Sequence, residues 1–147
     1  MLLTPRFSLP LLATAQAQKE VTHNEALTLL DALVHAAVEA GPQADPPIAP
    51  VAGQCWLVAS TATGDWTGHD HRIALWTAGG WRFAAPRDGM RMVRLADGAC
   101  LRFEGGAWVE PTVLASPSGG AVIDSEARAT LAALILLLDA HGLMMSG

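Results

Sequence analysis

The chain has 147 residues, enough for one domain with appendages, and is 51% hydrophobic but only 16% charged, against about 25% charged in ordinary soluble domains. A surface this poor in charge implies cover from a partner or from further copies of the chain. With a net charge of −5 and Lys19 as its only lysine, it has no basic patch to neutralise phosphates, which argues against nucleic acid as a partner.

Residues 1–18 read as an extended arm. Pro5 and Pro10 fix φ and bias the residues before them toward extended geometry. Phe7, Leu9, Leu11 and Leu12 are too apolar to remain in water, so the arm should lie on its own body or on a neighbour. Ala15-Gln16-Ala17 imitates a signal-peptide cleavage site. The prolines interrupt the apolar stretch before it, and Arg6 is the only positive charge there, so no secretion signal is expected.

A helix is predicted over 22–40, within a segment spanning 19–41. Thr22-x-x-Glu25 has the form of a capping box, with Val21 able to pack on Ala26 as a staple. Leu27, Leu30, Val34 and Val38 form one apolar stripe, with Gly41 and Pro42 placed to end the helix.

From 42 to 115 the pattern is that of an antiparallel β body. After a proline-rich linker the apolar period changes to two, predicting strands at 55–60, 72–76, 81–84, 90–95, 100–103 and 107–109. Leu75-Trp76-Thr77-Ala78-Gly79-Gly80-Trp81 and Arg102-Phe103-Glu104-Gly105-Gly106-Ala107-Trp108 form a weak repeat. Each predicts a hairpin with an aromatic pair facing across the strands, and together they predict one meandering sheet. Cys55 and Cys100 form no metal-binding or disulfide framework and read as packed apolar residues.

Residues 116–147 read as a hinge and an oligomerisation helix. Asp124 is a good N-cap, and the helix should end near His141 with Gly142 as its stop. Ala127, Leu131, Leu134, Leu138 and His141 make a heptad-like seam, and Ile135, Leu136 and Leu137 add apolar surface around it. The apolar run 131–138 is far shorter than the roughly 20 residues that span a bilayer, so no membrane element is expected.

Signatures of catalysis are missing: no nucleophile elbow, phosphate loop or dinucleotide fingerprint occurs. No catalytic residue, metal or cofactor is expected. His69-Asp70-His71 would place two imidazoles on one face of a strand, but two ligands do not make a metal site. The five tryptophans read mainly as core. Trp66, surrounded by turn residues, is the exception: with His69 and His71 it would form a sugar-contacting face.

Gln16-Ala17-Gln18-Lys19 followed by Val21-Thr22-His23-Asn24-Glu25-Ala26-Leu27 resembles the opening of an uncharacterised family, a domain of unknown function. Its members occur in tail-fibre and spike proteins of bacteriophages and gene transfer agents. Thr63-Gly64-Asp65-Trp66-Thr67-Gly68, Ile73-Ala74-Leu75-Trp76 and the segment from Trp81 to Gly89 resemble the body of that family. The tail from Ile123 to Leu143 resembles helices that end spike and fibre proteins.

The resemblance implies a structural, non-enzymatic component of a phage-like particle, such as the base of a head spike. Such a protein would be assembled in the bacterial cytoplasm and carried on the particle surface. Because the chain stops after its tail helix, it would be a base or adaptor more than a complete fibre. The expected fold is α+β: arm and helix, a small antiparallel sheet of hairpins, and an apolar C-terminal helix. The expected assembly is a trimer or pentamer through Phe7, Leu9, Leu11, Leu12, Leu131, Leu134, Ile135 and Leu138, joining a capsid vertex or a spike fibre. The alternative is a carbohydrate-binding module that recognises host polysaccharide through exposed tryptophans.

Overall fold

Every one of the six alternating apolar segments becomes a strand close to its predicted position. In the computed structural model, which describes residues 2–13, 19–116, 118–119 and 124–146, the fold is α+β. Helix α1 (Lys19–Leu33) is followed by β1 (Ala37–Val38), β2 (Cys55–Leu57), a 3-10 turn (Gly64–Trp66), β3 (Ile73–Thr77) and β4 (Gly80–Ala84). Then come β5 (Arg91–Arg94), β6 (Cys100–Glu104), β7 (Ala107–Val109), β8 (Val113–Leu114), α2 (Ser125–Ala140) and β9 (Met145–Ser146).

The strands form two main sheets, not the single meander expected from the repeat, and β8 pairs with β9 in a separate parallel two-stranded sheet. One has the order β2-β3-β4 and the other β1-β5-β6-β7. The repeat is real, because β2-β3-β4 and β5-β6-β7 are both antiparallel three-stranded units. In each, the last hairpin carries the predicted aromatic pair. Trp76 faces Trp81 with ring centroids 4.9 Å apart, and Phe103 faces Trp108 at 5.2 Å. Gly105 and Gly106 both take left-handed φ values, 58° and 86°, as a tight hairpin turn matched to strand twist requires.

The chain after α1 keeps the two units apart. β1 runs parallel to β5, and residues 39–43 then bond to β2, as in Glu39 N–H to the Cys55 carbonyl (2.8 Å) and Gln43 N–H to the Leu57 carbonyl (3.0 Å). This corrects the predicted helix, which ends at Leu33 and not near 40. Two forces end it. The Arg6 guanidinium takes the last carbonyls, Nη1 donating to Ala32 O (2.8 Å) and Nη2 to His35 O (2.9 Å). Val38, 1% exposed, is worth more in the core between the sheets than on an exposed helix. At the other end, Thr22 and Glu25 lie inside the helix, so they form no capping box; Glu25 instead reaches Arg82 at 3.2 Å.

Between the sheets lies the main core: Val38, Cys55, Leu57, Ile73, Leu75, Met92 and Leu101, closed by Ala32 of α1. The opposite face of β2-β3-β4 is also covered. Residues 59–72 fold over it, and Trp66 joins Trp56, Val58 and Ala74 in a second core. Trp81 is its hub, meeting Trp56, Trp66 and Trp76 edge to face at 5.6, 5.1 and 4.9 Å. Trp108 Nε1–H donates to the His71 carbonyl at 2.9 Å and ties β7 to this loop.

The arm also differs from its extended expectation. Residues 2–13 turn back at 5–7, with Thr4 N–H on the Leu9 carbonyl and Leu11 N–H on the Leu2 carbonyl, both 2.9 Å. The buried Asp31 carboxylate of α1 holds the turn. It accepts from Thr4 Oγ1 (2.7 Å), Arg6 N–H (2.8 Å) and Phe7 N–H (2.8 Å). On the same helical face two turns earlier, the Asn24 amide brackets Leu12, accepting from its N–H (2.9 Å) and donating to its carbonyl (3.0 Å). The part of the arm at 14–18, with the signal-like Ala15-Gln16-Ala17, lies outside the described residues, as does part of the predicted hinge.

Arg94 fastens the second unit to the joining segment. It donates to both oxygens of Asp97, to Glu110 (2.6 Å) and to the Gly41 carbonyl (2.9 Å). The hydrogen bonds from Arg94 hold the Asp97 carboxyl below the usual carboxylate range. A folded-state pKa that is depressed stabilises the fold above the unfolded value and loses that contribution as pH falls through the folded one. Asp97→Asn should therefore unfold at lower urea than wild type near neutral pH, and the gap should close as pH drops below about 3.9. A gap that is constant with pH would reject this account.

Candidate assembly interface

Three apolar surfaces remain open on the described residues, and they hold most of the residues expected to mediate contacts. The first is α2. As predicted, Asp124 caps it, its carboxylate accepting from Ala127 N–H at 2.9 Å, and the helix stops at Ala140 with Gly142 in the left-handed region. Its inward stripe is Arg128, Ala132, Ile135, Leu138 and Asp139, an i, i+4, i+7 pattern. Its backbone lies near β9, the strand that follows it.

Ile135 is only 6% exposed. This corrects its expected role, because a side chain committed to the chain's own packing cannot also meet a partner. Leu138 is half-buried. Leu131 and Leu134 stand outward, each 48% exposed, beside the still more exposed Leu136 and Leu137. Four outward leucines on a helix of 16 residues form the kind of patch that marks an interaction site.

The second surface is the arm. Phe7 and Leu12 are exposed, together with Leu2 and Leu3, while Leu9 and Leu11 are half-buried against their own hairpin. Asp31 and Asn24, which position the arm, were not picked out from the sequence. The available signal was a lone carboxylate in the apolar run Leu29-Leu30-Asp31-Ala32-Leu33, seven residues after an asparagine.

The third surface was not visible in the sequence. It is the outer face of β1-β5-β6-β7, where Val93 pairs across to Ala37 and Cys100, and Arg91 to Arg102. A cleft of about 510 Å³ between Val34, Val93 and Leu95 continues into one of about 250 Å³ beside Val109 and Leu143, the two sharing Arg91 and Cys100. The C-terminal tail is pinned to its rim by Cys100 N–H on the Gly142 carbonyl (2.9 Å). Gly142 is required there: its φ is +64°, and a Cβ would lie 2.4 Å from the Gly98 carbonyl oxygen.

The expected sugar-contacting face is not assembled. Trp66 is 0% exposed and offers no ring face to a ligand. It was read as exposed because turn residues surround it, yet those turns exist to fold it inward. His69 stacks flat on Phe83, centroids 3.6 Å apart and 3° from parallel. His71 lies in a turn with φ +62°, so the two histidines do not share a strand face. Among the described residues no group of three or more His, Cys, Asp or Glu side chains is placed to hold a metal ion. Burial pushes the Cys55 thiol up to about 11, so it stays protonated near neutral pH.

No curated protein matches this chain. The profile of a family described as a protein of unknown function (DUF2793) matches residues 23–109, running from the first half of α1 to the last residue of β7 and enclosing both three-stranded units. With more than half of its length matched, the chain belongs to this DUF2793 family.

Proposed function

We propose that this chain is a structural adaptor of a phage-like particle. It assembles with copies of itself through α2 and links the particle to a host-attachment fibre, working as a scaffold and not as a catalyst. The observation that carries this reading is the outward row of leucines on α2, in a chain whose charge content is too low to solvate a free monomer of this size. The resemblance of the opening motif and tail to spike and fibre proteins supports the particle as its setting. Cyclic symmetry follows for a closed homo-oligomer, with three copies suiting a fibre and five a capsid vertex.

Leu131→Asp combined with Leu134→Asp is the direct test, since both side chains face outward and the subunit should still fold. Native mass spectrometry should fall from an oligomer to a single subunit with the far-UV circular dichroism unchanged. An unaltered native mass would reject assembly through α2. Quantitative mass spectrometry of purified particles against the major shell protein should give a fixed copy number divisible by three or five; absence from particles would reject the setting.

A further inference from the structure

We infer that the open outer face of β1-β5-β6-β7 is the dock for α2 of a neighbouring copy, so that subunits join head to tail. The inference rests on the self-assembly proposed above and names the surface that receives the helix.

The internal repeat points to a missing cover. In β2-β3-β4 the outer face is sealed by residues 59–72, which drive Trp66 onto Trp56 and Ala74. In β5-β6-β7 the equivalent connection is the short turn 95–99, too short to fold over its own sheet. What the first unit buries, the second leaves in solvent: Val93 is 41% and Leu95 57% exposed, next to Val34 at 64%. One face of an antiparallel sheet is commonly solvated and polar; this one carries Arg91, Arg102 and Glu104 but sets the exposed apolar Val93 and Leu95 beside them.

The occupant is argued from the same chain. α2 carries a surplus of outward leucines, and with 16 residues it is about 24 Å long. Four strands span about 19 Å, so one helix can cross the whole sheet. The tail that follows α2 already touches the cleft, through Gly142 and Leu143. The cleft carries Arg91 beside Arg102, which is paired to Glu104 at 2.6 Å, and α2 begins with Asp124 and Glu126, so Arg91 offers the helix start a complementary charge. Because helix and dock are different surfaces, the contact is heterologous, and where its rotation closes it gives rings of the kind proposed above.

Complementary defects test it in the full chain. One variant carries Val93→Asp with Leu95→Asp and keeps its helix; the other carries Leu131→Asp with Leu134→Asp and keeps its dock. Each alone should be monomeric by native mass spectrometry. Mixed at concentrations where wild type assembles, they should form a one-to-one dimer and nothing larger. A dock variant with the wild-type mass, or a mixture that stays monomeric, overturns the dock while leaving assembly through α2 standing. A helix variant with the wild-type mass overturns the assembly reading itself.

Thiol labelling gives a second readout that does not depend on how the dock variant folds. Cys100 lines both clefts, and Cys55 is buried. Cys100 should react at least tenfold more slowly in assembled wild type than in the helix variant. Equal rates overturn the dock.

Discussion

Trp81→Ala is expected to lower stability by about 3–5 kcal/mol, the range for removing a large aromatic from a core. Trp81 is only half-buried, so area alone would predict less. Its weight comes from position: it is the one ring that meets Trp56, Trp66 and Trp76, at interplanar angles of 77°, 80° and 62°. Edge-to-face pairs contribute about 0.5–1.5 kcal/mol each beyond burial, and three are lost together. The loop 59–72 loses the surface on which Trp66 rests. Thermal unfolding should shift down by on the order of 10 °C at this chain length. Trp81→Phe keeps part of the contact and should cost about half as much. A loss under about 1 kcal/mol for the alanine variant would show that the four-tryptophan cluster is not cooperative.

Asp31→Asn is expected to unlatch the N-terminal hairpin. The carboxylate accepts from one hydroxyl and two backbone N–H groups, with both oxygens used. An asparagine has one acceptor oxygen, so its amide N–H groups would face a donor of the arm. Hydrogen bonds to charged groups are each worth about 1.5–3 kcal/mol net. The freed donors can be rehydrated once the arm swings out, which holds the overall cost to about 2–3 kcal/mol. The signature is local. Exchange of the Arg6 and Phe7 amides should accelerate at least tenfold, and trypsin should cleave after Arg6 faster than in wild type. Unchanged cleavage with lowered global stability would mean that Asp31 supports α1 and not the arm.

The two expectations concern the parts of the fold where local and distant forces divide the work. Much of what depends on neighbours in sequence was legible in advance, the Thr22-x-x-Glu25 capping box excepted, since α1 begins three residues before it. The period-two pattern located six of the nine described strands, missing the two-residue β1, β8 and β9, because alternation is imposed by the pleat itself and needs more than two residues to show. The five-residue spacing from Trp76 to Trp81 and from Phe103 to Trp108 dictated the cross-strand pairs, because a two-residue turn leaves one register open. Asp124 and Gly142 bounded α2 through caps that act within one helical turn.

Only the tertiary structure decided where α1 ends, how the arm lies and which surfaces are left bare. Val34 and Val38 continued a helical stripe, but burial of Val38 beside β5 and capture of the last carbonyls by Arg6 outweighed a propensity difference of a few tenths of a kcal/mol. Trp66 sat among turn residues that favour exposure, and its destination depended on the opposite face of a sheet formed by residues 55–84. The open outer face of β1-β5-β6-β7 is legible only by comparing the two halves of the repeat in space. Composition by itself determined that this chain is poor in charge; the packing of its sheets decided which apolar faces stay open, because burial is settled by contacts between residues far apart in the chain.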